Sequence, residues 1–235
     1  MKSAHFLGLI TNIRSLLEAL MIIRMKSGNT NCYLLLQEKT RKAVLIDAGV
    51  SSDHTFIERL QMKGYLSKIA LVILTHGHYD HVGHASALQN HFHIPVAIHR
   101  DELERVTQGI MDFPPAKGII SNAFRKATLN GIEKSIYQKF VPDIVLDNAH
   151  SLSYFPEIEM VHLPGHTKGS IGIIFEDSLF AGDLVMNMPL PSNSWFAENF
   201  SELQHSIDHI SGLGLKRIYP GHGKSFSGKW INHLF

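Results

Sequence analysis

Short apolar runs alternate along this chain with turn residues and amphipathic stretches. The runs at 31–36 and 42–46 predict two antiparallel strands, because the polar turn 37–40 joins them. A helical stretch at 54–63 follows, and Gly64 closes it. Further strands are predicted at 69–74, 95–98, 158–163, 170–175, 178–181 and 217–219, and further helices at 84–90 and 200–212.

The run at 69–74 is almost wholly apolar, which predicts a strand buried on both faces. It stops at Thr75. A strand that delivers polar side chains at its carboxyl end is where an open α/β sheet places an active site. Residues two apart in an extended segment project to one side, so we expect His76, His78 and Asp80 to face one way and His81 to face another. One loop can therefore supply ligands to two neighbouring metals.

The first residues are expected to lie outside the main domain. We expect residues 1–20 to form an N-terminal extension and residues 21–235 to form a single domain. No small-residue cleavage site follows the early apolar residues, so a cytoplasmic location is expected. One face of a short helix is predicted from Leu16, Leu17, Leu20 and Met21.

A mixed helical insertion is predicted at about 101–145, between two β-rich halves. The segment is either a lid over the site or an ordinary packing element. Apolar residues recur there at helical spacing, first at Ile120, Ala123, Phe124 and Ala127 and then at Ile132, Ile136 and Phe140.

The composition mainly argues against two classes of binding partner, nucleic acids and membranes. The 235 residues are 44% hydrophobic and 18% charged, which suits one globular domain with a substantial core. The formal net charge is +1 without a long run of one sign, so neither nucleic acid nor a membrane is expected to bind, and a small-molecule substrate is favoured. No apolar stretch is long enough to span a bilayer. The oligomeric state stays open, a homodimer included.

The single Cys32 excludes an intrachain disulfide and a cysteine-based zinc cluster. It lies in a strand-like run, which favours a small buried core residue over a nucleophile. Any metal site must therefore use His and carboxylate ligands.

Three later segments each place one candidate ligand after a strand. His166 stands in LPGHT at 163–167, Asp183 in FAGD at 180–183, and His222 in YPGHG at 219–223. Each is preceded by glycine, which lets the backbone turn tightly or approach a ligand closely. Two halves that both contribute His and Asp loops imply two sheets packed face to face, with the site at one edge.

Together with THGHYDH at 75–81, and in this order, these segments resemble the metallo-β-lactamase superfamily over about 22–224. The resemblance implies an α/β (α+β) fold, a four-layer αββα sandwich of two mixed sheets with outer helices. It also implies that Asp47, in LIDAG at 45–49, supports a ligand from behind. The implied ligands are His76, His78 and His166 for one metal, Asp80, His81 and His222 for the second, and Asp183 as the bridge.

Within the superfamily, PGHTKGS at 164–170 and FAGD at 180–183 look most like the glyoxalase II group. Asp183 and His81 depart from the β-lactamases that use cysteine for the second metal, so antibiotic hydrolysis is less expected. The chain ends thirteen residues after His222, without the C-terminal helical domain that binds glutathione in glyoxalase II enzymes. We therefore expect a small ester, thioester or lactone as substrate.

The implied chemistry is hydrolysis. Two divalent cations that share a carboxylate would lower the pKa of a bridging water towards about 7 and polarise the substrate oxygen. Asp80 is the candidate catalytic residue, which orients the hydroxide and passes a proton to the leaving group. His and Asp ligands suit zinc, with manganese or iron as alternatives. Candidates for substrate contacts are Tyr79 in the ligand loop and a pocket wall formed by Met186, Met188, Trp195 and Phe196. The alternative is that these residues belong to the core.

Three other functions are less well supported by the sequence than hydrolysis. A mononuclear iron oxygenase resembling the persulfide dioxygenases is disfavoured, because Asp80, His81 and His222 complete a second site. A metal-dependent phosphodiesterase or nuclease is disfavoured by the near-neutral charge. A non-catalytic binding protein would be expected to have lost ligands, and none is lost.

Overall fold

The structure is a computed structural model that describes residues 20–129, 136–147, 155 and 158–234. Two sheets form its centre. The first contains, in spatial order, β1 (Leu20–Ser27), β2 (Thr30–Gln37), β3 (Ala43–Ile46), β4 (Ile69–Ile73), β5 (Val96–His99) and β6 (Ile144–Leu146). The second contains β13 (Phe226–Ser227), β12 (Arg217–Pro220), β9 (Ser178–Gly182), β8 (Ile171–Phe175) and β7 (Ile158–His162). A separate hairpin pairs β10 (Val185–Asn187) with β11 (Pro191–Asn193).

In the described part of the chain, six helices lie between the strands, and the first four and the sixth pack in the apolar clusters on the outer faces of the sheets. They are α1 (Phe56–Met62), α2 (Tyr79–Val82), α3 (Ala85–Phe92), α4 (Leu103–Gln108), α5 (Ile119–Leu129) and α6 (Phe200–Ser211). Short 3-10 turns lie at Leu66–Lys68, Arg100–Glu102 and Gly228–His233. Among the residues that the structure describes, no helix is both long and apolar enough to cross a bilayer.

Both sheets are mixed. In the first sheet, β1, β2 and β3 are antiparallel neighbours, whereas β3, β4, β5 and β6 run parallel. In the second sheet, β9 and β12 are parallel and the other neighbours are antiparallel. The parallel pairs bring the carboxyl ends of β3, β4 and β5, and of β9 and β12, to common edges of the two sheets.

Three apolar clusters separate four layers. Successive residues of a strand point to opposite faces, so Leu35 packs between the two sheets while Leu34 faces the helices. The cluster outside the first sheet joins Leu34 to Phe56 of α1 and Leu88 of α3. The cluster outside the second sheet includes Ile207 of α6. This arrangement confirms the αββα sandwich.

The strands predicted at 31–36, 42–46 and 69–74 are confirmed within one or two residues at each end. Cys32 is fully buried in β2, as predicted. The helix predicted to include Leu20 and Met21 is wrong, because both residues pair with β2 in β1. Leu16 and Leu17 lie outside the described residues.

The segment at 101–145 contains the predicted helix, α5, whose range includes the first four of the spaced apolar residues. The predicted return of the helical period is wrong at Ile136 and Phe140, which lie in irregular backbone, while Ile132 is outside the described residues. Its last residues form β6, which pairs with β5 at the edge of the first sheet.

Candidate metal centre

The first ligand loop leaves the end of β4. The Thr75 backbone N–H donates to Asp47 Oδ1 at 2.8 Å, which ties the start of the loop to the end of β3. The backbone bends at Thr75 and His76, is extended at His78 and then enters the helical turn α2. Asp80 and His81 therefore lie on a helix, and the prediction that Asp80 continues an extended face is wrong.

The other three candidates come from separate loops of the second sheet. His166 lies between β7 and β8, Asp183 directly follows β9, and His222 follows β12. Gly165 has a φ of +130°, and a Cβ there would overlap the Leu203 backbone of α6. A side chain at this position would push the loop away from the helix, so the close approach requires glycine.

The structure brings all seven predicted residues together in two overlapping groups. The candidate ligand atoms of His76, His78 and His166 lie within 4.8 Å of one another, as do those of Asp80, His81 and His222. Asp183 stands between the groups. Its Oδ2 lies 3.2 Å from His222 Nε2 and 3.7 Å from His166 Nε2, and its Oδ1 lies 3.4 Å from His81 Nε2.

These spacings fit metal ligation. Two nitrogens bound to one tetrahedral zinc ion lie about 3.3 Å apart, because each Zn–N bond is about 2.0–2.1 Å long. His78 Nδ1 lies 3.0 Å from His166 Nε2, and Asp80 Oδ2 lies 3.3 Å from His222 Nε2. His76 Nε2 is buried without a hydrogen-bond partner among the described residues. A bound cation would satisfy that nitrogen.

In four of the imidazole rings, the nitrogen that faces away from the cluster has a hydrogen-bond partner. His81 Nδ1 lies 2.8 Å from Asp47 Oδ2, and His166 Nδ1 lies 2.8 Å from the Phe196 carbonyl oxygen. His76 Nδ1 lies 3.1 Å from Thr75 Oγ1, and His222 Nδ1 lies 3.2 Å from the Asn29 carbonyl oxygen. Such partners set the ring orientation, so each Nε2 faces the centre of the cluster.

The two groups differ in charge. Burial and the neighbouring imidazoles lower the pKa of His76 and His78, and burial lowers that of His166, so these rings are neutral at pH 7. Burial also acts to lower the pKa of His222, but Asp183 and Asp80 outweigh it and raise the value to about 10. Asp47 and Asp183 likewise overcome burial and raise the pKa of His81. The second group therefore couples its imidazoles to carboxylates.

Glu102 connects the ligand loop after β4 to the loop that carries His166, and the sequence did not predict this role. Its side chain is 1% exposed and accepts hydrogen bonds from the Gly77 and Gly169 backbone N–H groups, both at 2.9 Å. Gly77 lies in the first ligand loop, and Gly169 lies in the loop that carries His166. No local pattern marks an acid that bonds to residues so distant in sequence.

Arg105 extends this link. Its Nε lies 3.2 Å from Glu102 Oε2, and its Nη2 lies 2.5 Å from Glu198 Oε1. Glu198 Oε2 in turn accepts the Lys168 backbone N–H at 2.9 Å. Residues of the predicted insertion therefore brace the ligand loops.

The hairpin between β1 and β2 approaches the second ligand group. Thr30 is buried, and its Oγ1 donates to Asp80 Oδ2 at 2.9 Å. Asn31 Nδ2 donates to the carbonyl oxygens of Pro220 and Gly223 at 3.0 and 2.8 Å. The hairpin thus orients the predicted catalytic carboxylate and holds the loop of His222.

A cavity of about 130 Å³ opens onto the two groups. Three of the predicted wall residues, Met186, Met188 and Phe196, line it, and so does Tyr79. Trp195 does not line this cavity and borders another surface depression instead. Phe113 and Pro114, from the predicted insertion, complete the apolar side, which the sequence did not indicate.

Comparison with known proteins agrees with this architecture. A probable metallo-hydrolase of Bacillus subtilis is 28% identical over 220 residues, which cover 84% of this chain and 81% of the relative. A probable metallo-hydrolase of Methanocaldococcus jannaschii is 27% identical over 201 residues, which cover 83% of this chain and 88% of the relative.

Solved structures share the fold. The crystal structure of the B3 metallo-β-lactamase BLEG-1 superimposes with a TM-score of 0.70 at 25% identity, covering 91% of this chain and 97% of that chain. A protein solved in a di-iron-bound form superimposes with a TM-score of 0.65 at 22% identity, covering 91% and 98% of the two chains. The family model of the metallo-β-lactamase superfamily matches residues 26–222. The chain therefore belongs to the metallo-β-lactamase superfamily.

Proposed function

We propose that this protein is a dinuclear metal-dependent hydrolase of a small ester, thioester or lactone. One cation would be held by His76, His78 and His166, and the other by Asp80, His81 and His222, with Asp183 shared. The names of the two metallo-hydrolase relatives support the reaction class. Within the superfamily, PGHTKGS at 164–170 and FAGD at 180–183 support a place near the glyoxalase II group.

The state of His76 Nε2, a buried ring nitrogen, is the observation that carries the proposal. His76 Nε2 is buried and unpartnered among the described residues, while Thr75 holds its Nδ1. Leaving such a polar atom unsatisfied costs about 1–3 kcal/mol, which a bound cation would recover. A purely structural cluster would be expected to pair that nitrogen with a protein group.

Two divalent cations held by the candidate ligands would supply hydroxide at neutral pH and polarise the carbonyl oxygen of the substrate. Asp80 would orient the attacking oxygen, accept its proton and pass that proton to the leaving group. Its Oδ2 is held by Thr30 Oγ1 on the hairpin side, which keeps the carboxylate aimed at the cavity. Tyr79, beside it in the lining, offers a hydroxyl that can orient the substrate.

Zinc is the metal that we propose, with manganese or iron as alternatives. Imidazole and carboxylate ligands suit zinc but select weakly among these ions. The cytoplasm is the proposed location, and a small molecule the proposed partner.

The test is elemental analysis of untagged protein purified without chelator, followed by assays on esters, thioesters and lactones. We expect about two zinc ions per chain and hydrolysis in at least one substrate class. About one iron ion per chain, with oxygen consumption on thiol or persulfide substrates, would overturn the dinuclear hydrolase in favour of a mononuclear oxygenase.

A further inference from the structure

We propose that the substrate is uncharged and has an apolar acyl group that binds against Phe113, Pro114, Met186 and Phe196. These four residues are called the apolar wall. They line the same cavity as Asp80, His166, Asp183 and His222. The inference rests on the proposed hydrolase function and adds the substrate class.

Ring packing and backbone hydrogen bonds hold the apolar wall. The rings of Phe113 and Phe196 meet edge to face, with centroids 4.8 Å apart and planes at 72°. Backbone hydrogen bonds join the two segments, from Lys117 N–H to the Trp195 oxygen at 3.2 Å and from Ala197 N–H to the Pro115 oxygen at 3.0 Å. A preformed wall loses little conformational entropy when an acyl group binds.

Helix α5 anchors the wall from behind. Arg125 Nε donates to the Pro114 carbonyl oxygen at 2.9 Å, and Arg125 Nη2 donates to the Phe113 carbonyl oxygen at 3.0 Å. The guanidinium thereby fixes the backbone that carries both wall residues. This part of the predicted insertion supplies a fixed side of the cavity.

The wall is tied directly to the candidate ligands. The Phe196 carbonyl oxygen lies 2.8 Å from His166 Nδ1, so the residue that forms the wall also orients a ligand. Met186 follows Asp183 by three residues and is 2% exposed. A carbonyl placed among the ligands therefore puts its acyl substituent beside apolar side chains.

The charges in the lining indicate an uncharged acyl group. Among the described residues that line the cavity there is no lysine or arginine, and the polar side chains outside the candidate ligands are the uncharged Asn29 and Tyr79. Arg105 is held by Glu102, Asp112 and Glu198. A carboxylate on the acyl chain would lose water against the wall without gaining a partner.

The experiment compares p-nitrophenyl esters on the metal-loaded protein. The leaving group is constant, and the acyl group is acetyl, butyryl, hexanoyl or the anionic succinyl. We expect kcat/KM to rise about two- to fourfold per methylene from acetyl to butyryl, as apolar burial predicts. The succinyl ester should react at least about tenfold more slowly than the butyryl ester, because its carboxylate is desolvated.

Variants test the wall itself. Phe113→Ala should flatten the dependence on acyl length, and Phe113→Lys should raise kcat/KM for the succinyl ester relative to the butyryl ester. Phe92→Ala is the control, because Phe92 lies at the end of α3 outside the cavity and is 39% exposed. Thermal melts verify folding, and Phe113→Leu, which keeps an apolar side chain, should retain the preference for longer acyl groups.

Different results would count against the apolar acyl class and against the hydrolase function. Hydrolysis of all four esters at equal rates, or a preference for succinyl, would overturn the apolar acyl class and leave the hydrolase intact. No hydrolysis by protein with full metal content would count against the proposed function instead. In that case NMR titration of metal-free protein decides the inference, which requires hexanamide to bind more tightly than acetamide and Phe113→Ala to remove the difference.

Discussion

The two halves of this protein deliver their ligands in different ways. In the first half, His76, His78, Asp80 and His81 all lie in one loop and the helical turn that follows β4. In the second half, His166, Asp183 and His222 come from three loops separated by whole strands and by α6. The first set depends largely on local backbone geometry, whereas the second depends on how distant segments pack.

Three side chains support the candidate ligands, and one of them connects the halves. Glu102 accepts hydrogen bonds from Gly77 in the first half and Gly169 in the second. Asp47 and Thr30 act within the first half, where they bond to His81 and Asp80. A change within the local loop should remove a proposed metal ligand or the catalytic group and leave the fold intact. Changes in the three supporting side chains keep every proposed ligand and should instead weaken metal affinity, the alignment of the catalytic group or the attachment between the loops.

The largest effect is expected for Asp80→Ala, which removes from the local loop both the proposed proton-transfer group and one proposed ligand of the second cation. We expect kcat to fall by about 10²–10⁴-fold, the usual contribution of a positioned acid or base. The melting temperature should change little, because Asp80 makes its contacts at the edge of a cavity. Unchanged kcat in a properly folded variant would contradict the mechanism.

Asp47→Asn should weaken the support of one candidate ligand in the local loop, His81. Asp47 has a φ of +62°, a conformation that asparagine tolerates, so the backbone is preserved. Loss of the carboxylate beside His81 should weaken metal affinity about 10–100-fold, measured by competition with a chelator. Asp53→Asn, whose partners Thr55 and Arg59 lie outside the cavity, is the matched control and should retain normal affinity.

Glu102→Gln tests the link between the halves. The amide can accept only on its oxygen, so one of the Gly77 and Gly169 N–H groups loses its acceptor. The expected cost is about 1–3 kcal/mol in the free energy of unfolding, measured by denaturant titration. Glu104→Gln, an exposed acid on α4, should have no measurable effect. Equal stability of both variants would show that the ligand loops are held independently.

Thr30→Val should have the smallest effect. Valine keeps the shape of the buried side chain but removes the hydroxyl that donates to Asp80. We expect kcat to fall by up to about tenfold, equivalent to a net hydrogen bond of about 0.5–1.5 kcal/mol, with unchanged metal content. Thr30→Ser retains the hydroxyl and should recover most of the rate. A loss of metal in Thr30→Val would assign Thr30 to metal retention instead.

Much of the architecture and all seven candidate ligands were predicted from the sequence. Apolar periodicity identified β2, β3, β4 and α6, because burial of one face is encoded in each local pattern. The run at β1 was misread at Leu20 and Met21, because a short apolar stretch suits a helix or a strand until its partner is known. Its partner, β2, supplies the pairing that makes it a strand.

Side-chain chemistry is a property of the sequence itself, so the residue types of the candidate His and Asp metal centre could be identified without the fold. Their positions relative to one another were decided by the tertiary structure. The helical turn that carries Asp80, the bonds of Glu102 to both ligand loops, and the placement of Phe113 opposite the ligands all depend on such contacts. Such contacts join residues far apart in the chain, and no local pattern of residue types encodes them.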